Sequence, residues 1–162
     1  MDLTDEGLDY AIRYGSGAWH GTDVVYICDA PLSLLCTPAL GRKLKRPADV
    51  LQFTLLRSCR RDEWSAWLQA SGELPPGPTQ RIMMFDSSLT MVKVALTGAG
   101  VALAPPDMFR QQLRDGSLCR PFSQSVDLGG YWLTSLQSRS QTAVMQEFTS
   151  WLLSWAGEED TD

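Results

Sequence analysis

The sequence is short of nearly everything that catalysis or metal binding requires. Its 162 residues contain one histidine, His20, and four cysteines, Cys28, Cys36, Cys59 and Cys119. No pair of cysteines has CxxC spacing, so no metal site is expected. His20 lies in the turn-rich stretch GSGAWHGTD, with no GxSxG or cysteine-centred nucleophile motif to accompany it. A Walker sequence is missing. Gly98-Ala99-Gly100 lacks the third glycine of a dinucleotide loop and runs from helix to strand, the reverse of the required order. The acidic pairs Asp5-Glu6 and Asp62-Glu63 fall in a polar loop or at a helix start, where carboxylates favour the positive helix end. No catalytic residue and no cofactor are expected; the chain does not read as an enzyme.

Other absences bound the partners. No run approaches the ~18 apolar residues of a membrane helix. The acidic start MDLTDEGLDY has neither region of a signal peptide, so a cytoplasmic location is expected, with all four cysteines as thiols. Lys and Arg number 14 against 19 Asp and Glu, a net charge of −5. The one basic cluster, Arg42, Lys43, Lys45 and Arg46, reads as a solvated helix end before Pro47. This chain alone should not hold DNA.

What is there is an alternation of short strands and helices, the pattern of an α/β fold, with 44% hydrophobic and 20% charged residues. Strands are expected over 8–14, 24–28, 32–36, 53–56 and 82–85, then at VALAP and GYWLTSL. Pro47 opens a short helix, PADVLQ. Asp62 is placed to cap a helix whose Trp64, Trp67 and Leu68 share one face, a core stripe rather than a ligand platform. A short helix is expected over 107–113. In a last helix over about 142–155, Val144, Phe148, Trp151, Leu152 and Trp155 mark the expected buried face. The chain opens on a strand with no βα unit before it, so its first sheet is expected to lack strands.

One stretch invites a ligand. In Phe85-Asp86-Ser87-Ser88 an apolar strand runs straight into the helix LTMVKVAL. The first helical N–H groups have no internal partners and can hold a carboxylate or carbonyl. Asp86 or Ser87 can cap the helix, which leaves the Ser88 hydroxyl for a ligand; the same residues also suit a plain N-cap.

At these residues a resemblance enters. DEGLDYAIRYGSGAW, PLSLLCTPAL, PADVL, LLRSCRRDEWSAW, FDSSLTM, GAGVALAPPDMF, RPF and YWLTSLQSR are similar in order and spacing to the effector domain of LysR-type transcriptional regulators. DSS followed by GYWLT resembles, within that family, the group that controls inducible chromosomal β-lactamase. The resemblance implies a two-lobe α/β domain like type 2 periplasmic binding proteins. Residues 16–132 would form lobe II, 1–15 and 133–157 part of an N-terminally truncated lobe I, and 158–162 a solvated tail. The family's helix-turn-helix, linker helix and first βαβ segment have no counterpart here, so DNA is expected as a partner only through a segment absent from this chain. A homodimer or homotetramer is implied for the full-length protein. The implied effectors are muropeptides and UDP-MurNAc-peptides, the latter favouring repression and anhydro-muropeptides activation. Ser88 would contact the ligand, Tyr131 would meet it from the other side of the hinge, and Asp2 would tune the resting state. A solute-binding module for transport is the alternative on the same architecture, and a hydrolase is disfavoured by the lone loop histidine.

Overall fold

The computed structural model describes residues 7–59 and 62–158. Strands β1 (Ala11–Gly15), β2 (Thr22–Asp29) and β3 (Leu32–Leu35) lead to the short helix α1 (Pro38–Gly41) and a 3-10 segment over Pro47–Gln52, both opened by a proline. β4 (Leu55–Arg57), α2 (Glu63–Ala70), β5 (Ile82–Met84), α3 (Ser88–Leu96) and β6 (Val101–Ala104) then alternate. A 3-10 turn (Pro106–Phe109) precedes α4 (Arg110–Arg114), so the helix expected over 107–113 is split in two. β7 (Ser125–Val126), too short to show a sequence period, β8 (Gly130–Leu136) and α5 (Ala143–Glu158) follow.

These elements form two compact units, one containing the chain up to Ala30 and from Leu128 onward, the other Pro31–Asp127. The first carries an antiparallel sheet in the order β1-β8-β2. Ala11 faces Thr134 and Tyr14 faces Tyr131 on one side of β8, while Thr22 faces Leu136 and Cys28 faces Tyr131 on the other. The β2 register slips between Tyr26 and Cys28, a bulge that leaves Ile27 without an opposite residue. Because β2 pairs along β8, it groups with this sheet, whereas the resemblance draws its lobe boundary at residue 16.

One expectation for this unit is overturned. Among the described side chains of α5 only Met145 and Leu152 are buried, while Val144 is 74% exposed and Trp151 and Trp155 are also well exposed, with Phe148 partly so. The helix is held instead through Tyr10, whose hydroxyl donates to the Met145 carbonyl (3.2 Å) and pairs with Thr149 Oγ1 (3.0 Å). The 3.6-residue period located an apolar stripe correctly but could not say that a neighbour covers it.

The second unit carries a five-stranded sheet in the order β5-β4-β6-β3-β7. β4 pairs parallel with both β5 and β6, and β3 pairs antiparallel with β6 and β7. All four residues of β3 and of β6 are buried, as expected for strands covered on both faces. Trp64, Trp67 and Leu68 of α2 are buried as a core stripe, and each such side chain contributes about 1.5–3 kcal/mol by leaving water. The Trp64 indole donates to the Leu56 carbonyl at 3.0 Å, so its burial orphans no donor. Asp62 occupies the N-cap position of α2 but makes no capping hydrogen bond through its side chain. Glu63 is buried and does other work: its carboxylate accepts from the Ser58 amide (3.1 Å) and hydroxyl (2.7 Å).

Candidate functional site

The parallel part of the second sheet fixes where ligand-facing groups gather. β5 and β6 lie on opposite sides of β4, so the chain reverses direction of winding there. At such a switch point the carboxyl ends of the strands face an open crevice, because the connecting helices diverge. The residues at those ends are Ser58 after β4, Asp86, Ser87 and Ser88 after β5, and Pro105 after β6.

Ser87 is the N-cap residue of α3, with extended backbone (φ −134°, ψ 130°), and its carbonyl accepts from the Met91 amide at 3.0 Å. Neither its side chain nor that of the exposed Asp86 makes a capping bond. Ser88 is the first helical residue and is half-buried. The first-turn amides of α3 therefore have no cap from Ser87, and they lie with Ser88 at the carboxyl edge of the sheet. The arrangement suits a neutral or anionic oxygen of a ligand. Among the described residues there is no cluster that could hold a metal.

Tyr131 belongs to the other unit, on the central strand β8. Its ring stands edge-on to Tyr14 across the pairing, with centroids 5.5 Å apart at 81°, and Tyr14 in turn donates to the Ala30 carbonyl at 3.2 Å. The two preceding glycines permit a close backbone approach. Gly129 has φ +139°, and a Cβ there would lie 2.6 Å from the Gly15 carbonyl oxygen. A Cβ on Gly130 would lie 2.5 Å from the Cys28 carbonyl oxygen. The pair thus sets where β8 begins and which way Tyr131 leaves it. Asp2 lies outside the described residues. His20 is exposed in a turn.

Sequence reasoning placed Glu63 at a helix start but missed Ser58 and the pairing of the two, at the same sheet edge as Ser88. The available signal was a serine directly after the strand LLR with an acid at the start of the next helix.

Residues 1–157 match the LysR substrate binding domain. The chain belongs to this family. The LysR-family domain is 56% identical to the HTH-type transcriptional activator AmpR of Enterobacter cloacae, over 94% of this chain and 53% of that protein. It spans about half the length of the curated relatives it matches. The solved AmpR effector binding domain from Citrobacter freundii superposes with a TM-score of 0.95 at 51% identity, covering 98% of this chain and 79% of that one. A second structure of the Citrobacter freundii effector binding domain, in which a threonine, a serine and a tyrosine are substituted, gives 0.94 at 51% identity, over 96% and 79%. These matches bear out the LysR-type reading and the two-lobe α/β fold class. The family's matched relatives are transcriptional regulators, not enzymes. No helix among the described residues is long and apolar enough to cross a membrane.

Proposed function

We propose that this LysR-family domain is the cytoplasmic sensor of a β-lactamase regulator and binds a muropeptide or UDP-MurNAc-peptide effector. Ser88 and Tyr131 would contribute to effector recognition. The observation that carries the reading is the uncapped start of α3, which places its first-turn amides and Ser88 at the carboxyl edge of a parallel sheet. The substituted Citrobacter freundii domain adds support: its altered serine and tyrosine are separated by as many positions as Ser88 and Tyr131. No bond is broken in this function. An effector that binds two states of the domain unequally shifts their populations, and the assembled regulator, a homodimer or homotetramer, carries that bias to DNA through a helix-turn-helix.

Calorimetry with UDP-MurNAc-pentapeptide tests the reading. Ser88→Ala removes one neutral hydrogen bond, a loss of about 0.5–1.5 kcal/mol, and should weaken binding several-fold with an unchanged melt. Tyr131→Phe should weaken it similarly, and Tyr131→Ala more, because ring contact is lost as well. Unchanged affinity in all three variants with folding intact would place the site elsewhere and leave Ser88 only the first residue of α3.

A further inference from the structure

Cys36 and Cys119 are brought together across the second unit from opposite ends of its sequence. They form an isolated antiparallel bridge between the end of β3 and the segment that leads to β7. Each amide donates to the other's carbonyl, at 3.2 Å and 2.8 Å, and the two Sγ atoms lie 3.9 Å apart. A hydrogen-bonded antiparallel pair sets its Cα atoms about 5.5 Å apart, within the range that a disulfide spans. Forming the bond requires the sulfurs to close from 3.9 Å to about 2.05 Å. The surroundings leave room for the sulfurs: a Cβ on Gly41 would stand 2.6 Å from Cys119 Sγ and 3.7 Å from Cys36 Sγ.

The two thiols are unequal. Cys36 is fully buried, and that burial, reinforced by Cys119, pushes its thiol up to about 12. Cys119 is half-exposed. We propose that Cys36 and Cys119 form a reversible thiol–disulfide pair, oxidised by a hydroperoxide, that staples the end of β3 to the segment before β7. Cys119 is the residue the oxidant reaches. Its thiolate attacks one peroxide oxygen, the O–O bond breaks, and with hydrogen peroxide a sulfenic acid and water result. The Cys36 sulfur then displaces the sulfenic oxygen as a second water, and the S–S bond forms. Two thiols lose two electrons and two protons, and one peroxide becomes two waters. A dithiol reverses the reaction by exchange.

The staple would tie residues 83 positions apart and fix the entry to α1, which begins at Pro38. Peroxide treatment of the native chain, followed by digestion and mass spectrometry without reductant, should recover a Cys36–Cys119 linked peptide that dithiothreitol removes. The oxidised chain should melt higher, and reduction should restore the original midpoint. Cys59→Ser should change neither result. Cys36→Ser, checked for native circular dichroism, should instead yield a dimedone adduct at Cys119 and no rise in the melt. Oxidation confined to the exposed Cys59, linkage through Cys28 or Cys59, or a peroxide-dependent melt that survives in Cys36→Ser would overturn the proposal.

Discussion

Single residues in this domain do several separable jobs. Glu63 supplies two acceptors to Ser58 inside the second unit. Glu63→Ala should destabilise folding by about 1–3 kcal/mol, the cost of depriving a buried donor of its partner, read from urea midpoints. The variant also loosens the turn after β4, so effector affinity should fall with stability, whereas Ser88→Ala should lower affinity alone. Gly130→Ala drives a methyl against the Cys28 carbonyl. The fixed backbone on both sides makes a cost of about 1–3 kcal/mol the expected result of thermal unfolding. At Asp49, backbone hydrogen bonds from Arg46 and then Lys45 hold the carboxyl below the ordinary aspartate range. A depressed folded value stabilises the native state above the unfolded value, and the contribution disappears as pH falls through the folded one. Asp49→Asn should therefore flatten the acid limb of the melting curve: the variant melts slightly lower at neutral pH and converges on the unsubstituted chain below about pH 4.

At the scale of elements, the exposed apolar surfaces stand out. α5 presents Val144, Trp151 and Trp155 to solvent, and β5, an edge strand, presents Ile82, Met83 and Met84. Contiguous apolar surface of this kind drives association in water. The chain studied alone should self-associate in sedimentation experiments at rising concentration, and Val144→Gln with Trp155→Gln should shift it towards monomer. Stability should move little, roughly within 0.5 kcal/mol for each substitution, because neither side chain packs in the core. A concentration-independent monomer in the unsubstituted chain would argue that these faces are inert. Buried α2 gives the contrast. There Trp67→Ala should cost about 3–5 kcal/mol, since a fully buried ring leaves a cavity that the surrounding sheet cannot close.

For the molecule as a whole, charge decides the relation to nucleic acid. A net charge of −5 repels phosphate, and the one basic cluster includes Arg46, which is already partnered by Asp49. This chain by itself should show no sequence preference for a β-lactamase promoter fragment in fluorescence anisotropy at any salt concentration. Salt-dependent binding with sequence preference would place a DNA surface within the domain. Effector binding should still be measurable on the same preparation, which separates sensing from DNA contact.

Local patterning encodes the alternation of strands and helices, the buried tryptophans of α2, and a helix opening directly after the strand expected over 82–85. Each depends on neighbours within a few residues: apolar spacing, a turn, a helix opening. Motifs over the whole chain also carried the family, because spacing along a chain survives without coordinates. Tertiary structure alone decided the rest. It separated the buried Met145 and Leu152 of α5 from the exposed Val144, Trp151 and Trp155, because periodicity locates a stripe and only a packed neighbour can bury it. Exposure of β5 followed likewise from its place at the sheet edge, which its apolar composition did not reveal. The two-residue β7, the approach of Cys36 to Cys119 and the reach of Glu63 into Ser58 depend on strand pairing, side-chain direction or burial in three dimensions, and no local spacing encodes them.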